Sequence, residues 1–260
     1  MKTYLQRIFT IARNTFREAV RDRVLYNLVL FVLLITASAI FLGELTAGQE
    51  ARTIVNLGLS AMLVFGTFIS IFVGVSLVSK EIERRTIYAI FSKPVRRGEF
   101  IVGKYLGLCL TLLVNVLIMG IGVSLAILYV GGGSMAVSIW GAIALIYLEL
   151  AILTAVAILF SSFSSPALSA LLTFFIFIIG NFSSSLRDFA ANLGSNFTKL
   201  FFDVLYYALP NLSFYSFRTN AAHGDMPSVG LLGGAFLYAI VYIGILLFAT
   251  VFIFNRRNFK

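Results

Sequence analysis

Residues 98–104 (GEFIVGK) have the glycine and lysine spacing of the first half of a phosphate-binding loop. In such a loop the backbone N–H groups hold the phosphates, and a serine or threonine directly after the lysine binds Mg²⁺. Here Lys104 is followed by Tyr105, and an apolar run starts there without the strand–loop–helix pattern of a true phosphate-binding loop. We therefore predict that this chain has no nucleotide or other cofactor site of its own.

Residues suited to covalent catalysis or metal binding are few. The chain has one histidine, His223, and one cysteine, Cys109, which lies within an apolar run. Nucleophilic catalysis needs a nucleophile, a base and an orienting group within reach of one another, and no matching serine or cysteine motif accompanies the histidine. His223 and Asp225 supply too few ligands for a metal, and one thiol allows no intrachain disulfide. We expect no catalytic residues, no metal site and no enzymatic activity.

Glu149 lies near the middle of a long apolar run, ALIYLELAIL. A carboxyl group at mid-membrane depth costs about 2.5–3.5 kcal/mol on insertion scales, so it is expected to be neutral, to be paired or to face a wet cavity. One interpretation is a residue of a transport pathway or gate, with Asn115 as the second candidate. The alternative is a structural carboxyl group bonded to a neighbouring helix, with Asn115, Ser124 or a second protomer as its partner.

The elements that carry these residues are apolar helices. Hydrophobic residues make up 60% of the chain and charged residues 12%, against about 45–50% and 25% in soluble domains. Six runs approach or exceed the roughly 20 residues that cross a bilayer, and helices are expected because a helix pairs its own backbone amides in lipid. The predicted spans are 24–42, 54–78, 105–130, 135–160, 166–182 and 229–254. We predict an all-α, polytopic membrane protein with a single transmembrane domain over residues 1–260.

Positive residues are distributed unequally along the chain. Of its 20 lysines and arginines, the first 23 residues hold six, segment 79–104 holds seven and the C-terminal tail holds three. Loops rich in Lys and Arg stay on the cytoplasmic side, so we expect both termini and segment 79–104 to be cytoplasmic. The net charge of +9 lies beside apolar runs, which favours a membrane surface over nucleic acid as the partner.

Two further elements are predicted outside the spans. Residues 1–23 form a basic amphipathic helix, which we expect to lie at the inner headgroup surface; the alternative is that its apolar side packs on the other helices. The residues of that side are Leu5, Ile8, Phe9, Ala12, Phe16, Ala19 and Val20. In residues 183–228, on the outer side, apolar residues recur three and four apart, which predicts a helical external loop.

Segment 79–104 contains an apolar stretch between charged flanks. Ile87, Tyr88, Ile90 and Phe91 belong to it, and Pro94 ends the helical turn because it disfavours helix at the preceding residue. Aromatic and aliphatic anchors with a charged rim are typical of protein-docking surfaces. The alternative, that these residues pack back on the membrane helices, is left open by composition.

From Glu81 to Lys104 the sequence reads E-x-E-x-x-T-I-(x)4-S-x-P-V-x-R-x-E-(x)3-G-K. This pattern resembles the signature loop of ABC-2 type permeases, the membrane subunits of ATP-binding-cassette exporters. The layout is similar over nearly the whole chain: an amphipathic N-terminal helix, six spans, a coupling loop after the second span and a helical external loop before the sixth. Within that family the chain resembles the bacterial single-domain permeases, whose ATPase is a separate chain.

The resemblance implies a cytoplasmic ATPase partner that carries ATP and Mg²⁺, a second permease copy, identical or related, and a location in the bacterial inner membrane. Residues 87–93 would be a coupling helix seated in a cleft of the ATPase, and Arg97 and Lys104 would meet ATPase carboxylates or lipid phosphates. The implied ATPase-docking residues are Glu81, Glu83, Arg84, Ile87, Tyr88, Ile90, Phe91, Lys93, Pro94 and Arg97.

The implied function is that of an export permease, to which segment 79–104 transmits the motion of the ATPase. One rival is a membrane anchor that couples ATPase motion to a periplasmic enzyme or cell-wall machine without moving a substrate. A second rival is a stand-alone channel or membrane enzyme. The substrate is not predicted from the sequence.

Overall fold

A computed structural model of the chain describes residues 2–21, 23–44, 48–83, 96–183 and 209–256. These residues form helices and turns without a strand, which confirms the prediction of an all-α chain. The elements are α1 (Lys2–Val20), α2 (Arg23–Glu44), α3 (Glu50–Glu83), α4 (Arg97–Tyr129), α5 (Gly133–Ser161), α6 (Pro166–Asn181), a 3-10 helix η1 (Leu212–Tyr215), α7 (Arg218–Ala222) and α8 (Val229–Arg256).

Among the helices that the structure describes, four are long and apolar enough to cross a membrane: Glu50–Ser76 within α3, together with α4, α5 and α8. They contain 27 to 33 residues, enough for a hydrocarbon core of about 30 Å at 1.5 Å per residue. α6 and the described apolar part of α2, Val32–Phe41, are shorter. The structure therefore supports four of the six predicted spans, and the first and fifth spans stay predictions.

α5 is the central helix of the bundle. It is apolar on all sides, as expected for a helix enclosed by others, and it packs against α3, α4, α6 and α8. α8 differs, because few of its residues are buried in a single copy of the chain. Its exposed side chains include Phe236, Leu237 and Phe248, so its outer side is suited to lipid or to another apolar helix.

The bundle has two distinct ends. One end, called the basic end below, holds α1, the start of α4 and the last turn of α8. The opposite end holds the turn between α4 and α5. Gly131 in that turn has a φ of 84°, a left-handed conformation that glycine adopts without strain. The N–H of Gly132 donates to the carbonyl of Ile127 at 3.0 Å, which closes the end of α4 and lets the chain reverse.

α1 lies across the first turns of α4. Ile8 and Thr15 of α1 are buried there, and Gly103 and Gly107 of α4 allow the close approach. A Cβ atom at Gly107 would lie 2.5 Å from the carbonyl oxygen of Ala12 and 2.6 Å from Cβ of Thr15. Small residues four apart let two helices approach closely, and in this protein the second helix is α1.

Gly107→Ala is expected to displace α1 and to destabilise the chain by about 1–3 kcal/mol, the usual cost of overpacking. The new methyl group would meet backbone of α1, which cannot move aside without the whole helix. Gly244→Ala is the matched control, because it replaces another helical glycine at a position where a Cβ meets no atom within 4 Å. The melting temperature and the rate of tryptic cleavage within α1 measure the effect. Equal melting temperatures for the two variants would contradict the packing described.

Candidate functional site

The predicted docking segment joins the bundle through α3 and α4. α3 ends at Glu83 and α4 begins at Arg97, so Glu81 and Glu83 belong to the last turn of α3. The other predicted docking residues before Arg97 lie outside the described residues: Arg84, Ile87, Tyr88, Ile90, Phe91, Lys93 and Pro94. What the structure describes is the base to which this segment is attached, and the base is built from α1, α4 and α8.

Glu99 closes the N-terminus of α4. The side chain is 2% exposed, and its Oε2 accepts a hydrogen bond from the backbone N–H of Arg96 at 3.0 Å. A carboxylate in the first turn is stabilised by the free N–H groups and by the positive end of the helix dipole. Nη1 of Arg7, from α1, lies 3.8 Å from the same oxygen. One carboxylate therefore both caps α4 and attaches α1 to it.

Arg97 links the start of α4 to the end of α8. Its Nη1 donates to the carbonyl oxygens of Phe254 at 2.6 Å and Asn255 at 3.1 Å. Carbonyls at a helix C-terminus lack partners within the helix, so a guanidinium is well suited to bind them. The rings of Phe100 and Phe254 stack nearby, with centroids 6.2 Å apart. A residue that the resemblance assigns to ATPase docking thus holds α8 against α4.

Lys104 forms a third link, between α4 and α1. Its side chain is 3% exposed, and Nζ lies 3.6 Å from Oε2 of Glu18. The same ammonium group lies 5.7 Å from the centre of the Phe100 ring. Because Glu18 is half exposed, the ion pair contributes little to stability, but it fixes where α1 lies on α4. The partner of Lys104 described here is a carboxylate of its own chain.

These three links unite α1, α4 and α8 at the point where residues 84–95 join α4. Each of the three helices contributes either a charged side chain or backbone carbonyls to the base. A force that acts on the segment would therefore be transmitted to three helices together. The geometry suits mechanical coupling, and we call this set of contacts the coupling base.

Glu149 belongs to a separate polar site inside the bundle. It is 1% exposed, and its Oε1 accepts a hydrogen bond from Nδ2 of Asn181, the last residue of α6, at 2.8 Å. The guanidinium of Arg218, at the start of α7, is close enough to interact electrostatically with the carboxyl group. Three elements that are distant in sequence, α5, α6 and α7, therefore meet at Glu149.

The partner of Glu149 differs from those that the sequence suggested. Nδ2 of Asn115 donates to the carbonyl of Thr111, one turn back in α4, at 2.9 Å. Glu149 is bonded to Asn181 instead. The two pathway candidates thus have separate partners, and Asn115 acts within its own helix.

A second set of polar contacts covers the end of α6. Oδ1 of Asn211 accepts a hydrogen bond from the hydroxyl of Ser183 at 2.7 Å, and the N–H of Asn211 donates to the Tyr238 hydroxyl at 3.0 Å. The hydroxyl of Tyr215 donates to the carbonyl of Ala235 at 2.9 Å. Burial raises the pKa of Tyr215 above its usual range, so the hydroxyl keeps its proton and remains a donor. Residues 209–215 are held in this way over α6 and against α8.

Residues 9–259 match the family model of the ABC-2 family transporter proteins. The chain belongs to this family. It is also similar to the probable ABC transporter permease protein NosY of Pseudomonas aeruginosa, with 29% identity over 125 residues. That alignment covers 46% of this chain and 46% of NosY, so the chain spans about half the length of this curated relative. The predicted family is confirmed.

The glycine and lysine spacing of residues 98–104 has a structural explanation in this ABC-2 permease. The whole segment lies in α4, and a Cβ at Gly103 would lie 2.7 Å from Cγ2 of Ile11 in α1. The glycine thus makes room for a helix. Within the described ranges, no three His, Cys, Asp or Glu side chains are grouped as metal ligands.

Sequence reasoning missed Asn181 and Arg218 as partners of Glu149. Asn181 ends an apolar run, and a polar residue there is usually interpreted as the solvated end of a span. A signal was present in the length of the fifth predicted span, because the 17 residues 166–182 would measure only about 26 Å as a helix, so one end is expected to lie below the membrane surface. No comparable signal connects Arg218 with Glu149.

Asn181→Leu is expected to destabilise this ABC-2 permease by about 1–3 kcal/mol, because it leaves the buried Glu149 carboxyl group without its donor. In a chain of this size that corresponds to a fall in melting temperature of about 2–12 °C. Asn115→Leu is the matched control, since it removes a bond within one helix only. The double variant Glu149→Leu/Asn181→Leu should recover most of the loss, because no buried carboxyl group remains. An unchanged melting temperature for Asn181→Leu would show that Glu149 does not depend on this bond.

Proposed function

We propose that this permease is the membrane subunit of an exporter and is driven by a separate ATP-binding-cassette ATPase that binds segment 79–104. The observation that carries the proposal is the family match over residues 9–259, because that range includes the whole segment. Both termini and the basic end face the cytoplasm, in agreement with the distribution of Lys and Arg. The membrane is the bacterial inner membrane.

The geometry of the coupling base supports this mechanism. In the sequence, residues 84–95 follow the end of α3 and precede the start of α4. Arg97, Glu99 and Lys104 connect the start of α4 to α8 and α1. ATP binding closes the ATPase dimer and moves the segment, and the coupling base moves the three helices as a unit. Two permease copies, identical or related, form the pathway, and the exposed apolar side of α8 is suited to such an assembly.

Copurification tests the proposal. The tagged chain is coexpressed with the ATP-binding-cassette ATPase encoded nearest to its gene and is isolated in detergent. We expect the ATPase to be retained in a fixed ratio to the permease, and ATP hydrolysis to change when the permease is present. A chain that retains no ATPase, even after chemical crosslinking in the membrane, would contradict the proposed function.

A further inference from the structure

α1 presents three different faces around its axis, and only one of them is explained by the fold. The first, the packed face, lies on α4 and includes Ile8, Thr15 and Ala19. One helical step away is a second row of apolar residues, spaced four, seven and four apart along the helix. We call it the apolar face, and it consists of Leu5, Phe9, Phe16 and Val20.

The N-terminal half of the apolar face is open to the surroundings of the chain, whereas Phe16 and Val20 are half-buried. Leu5 is 60% exposed and Phe9 is 69% exposed, although both residues belong to a helix that already buries another apolar row. The third face, the basic face, adjoins it on the side away from α4. Arg13 and Arg17 lie there, Arg21 follows four residues later in the turn after α1, and all three are exposed. A row of exposed apolar side chains beside a row of arginines is the pattern of a helix that lies in a lipid headgroup layer.

We propose that α1 is a binding surface for anionic phospholipid headgroups. Arg13, Arg17 and Arg21 bind the phosphates, and Leu5 and Phe9 enter the boundary between headgroups and acyl chains. Charge complementarity selects anionic lipids, because each Lys or Arg near an anionic membrane surface favours binding by about fivefold. The proposal goes beyond the proposed function and does not depend on the ATPase.

The position of α1 supports a lipid as the partner. α1 ends at Val20, α2 begins at Arg23, and the first predicted span follows there, so the end of α1 lies close to the membrane surface. The other end is held on α4 by the Arg7–Glu99 contact. In water, the apolar face would be exposed to an unfavourable solvent. In a headgroup layer, the apolar face meets acyl chains and the basic face meets phosphates.

Lipid bound to the basic face would also act on the coupling base. Arg7 and Glu18 attach α1 to Glu99 and Lys104 of α4. Anionic lipid that holds α1 at the membrane surface therefore holds the first turns of α4 at a fixed depth. The lipid composition of the membrane thereby sets the resting position of the coupling base.

The test places a fluorescent reporter in the apolar face. The chain has one tryptophan, Trp140, so the variant Phe9→Trp/Trp140→Phe carries its only indole on α1. The full-length permease is reconstituted into vesicles that contain the same fraction of brominated phosphatidylglycerol or of brominated phosphatidylcholine. We expect the anionic quencher to reduce the fluorescence about twofold more than the neutral one, and 1 M salt to remove the difference because it screens exposed charges.

Two controls make the result specific. Leu125→Trp/Trp140→Phe places the indole on an exposed apolar position of α4, where both brominated lipids should quench equally. In the α1 reporter, Arg13→Gln/Arg17→Gln should abolish the preference for the anionic lipid, whereas Arg52→Gln, an exposed arginine at the start of α3, should preserve it.

Three results would overturn the proposal. Equal quenching of the α1 reporter by the two lipids would show a membrane contact without headgroup selection. Quenching by aqueous iodide but by neither lipid would show that the apolar face is in water. Loss of lipid quenching only when the ATPase is bound would assign the basic face to an acidic surface of that protein.

Discussion

Phe91→Asp is expected to abolish binding of the ATPase while the permease remains folded in the membrane. Phe91 is the last apolar residue of the stretch that begins at Ile87, and charged residues flank that stretch on both sides. Truncating a central anchor of an interface commonly costs 2 kcal/mol or more, a loss in affinity of about 30-fold. An aspartate costs more than truncation, because a carboxylate would have to be buried without a partner. The measurement is retention of the coexpressed ATPase on the tagged permease.

Two controls separate docking from general damage. Phe91→Leu keeps an apolar side chain and should retain the ATPase. Tyr129→Asp introduces the same charge at the opposite end of the bundle, where Tyr129 is 81% exposed at the end of α4, and it should also leave binding unchanged. If Phe91→Asp retained the ATPase as well as Phe91→Leu does, the apolar stretch would not be the anchor.

The helices were predictable because each rests on a local property of the sequence. Apolar runs of sufficient length and a lack of alternating polarity indicate helices in lipid, and the four long helices of the structure coincide with four of these runs. Pro166 illustrates the same point, because proline favours the first helical position and α6 begins there. The ends of helices also depend on local residues. Gly131, whose positive φ suits glycine, lies in the turn that ends α4.

Pairings between residues that are distant in sequence were not predictable, because they do not rest on a local property of the sequence. The bond from Asn181 to Glu149 joins residues 32 positions apart, and nothing in the composition of either helix favours that partner over Asn115. The spacing of Gly103 and Gly107 does not identify α1 as their neighbour, because small residues four apart accept many helix partners. Such contacts depend on how the helices are arranged, which a single sequence does not state.

Arg97 has one role that is inferred from the sequence pattern and one contact that only the structure shows. Its place after the proline resembles the family pattern and led to a docking role, which stays a prediction. The structure adds that its guanidinium binds the last carbonyls of α8, from residues 157 and 158 positions away. The two roles are compatible, since one arginine has five N–H donors, but they predict different consequences when the side chain is removed. Removing the side chain therefore tests whether the coupling base or the docking surface depends on Arg97.

Arg97→Ala is expected to uncouple ATP binding from α8 without releasing the ATPase. The change removes two hydrogen bonds from a charged donor, worth about 1.5–3 kcal/mol each, so α8 is held to α4 less firmly. An environment-sensitive probe on Val229→Cys, 86% exposed at the far end of α8, reports the motion. ATP should shift its emission in the complex, and Arg97→Ala should remove most of the shift, because each lost bond exceeds the roughly 1.4 kcal/mol that changes an equilibrium tenfold.

The neighbouring arginine provides the matched control for this prediction. Arg96 is exposed, and the contact it makes with Glu99 uses its backbone N–H, so Arg96→Ala removes a similar side chain and charge but leaves the coupling base intact. It should preserve the ATP-dependent shift. If the Arg97→Ala permease no longer bound the ATPase, Arg97 would instead be a docking residue. If the ATPase stayed bound and the emission shift were undiminished, α8 would follow α4 through other contacts, such as the stacked rings of Phe100 and Phe254. If motion is transmitted to α8 through Arg97, the Arg97→Ala permease retains the ATPase, but ATP no longer shifts the emission of the probe at position 229.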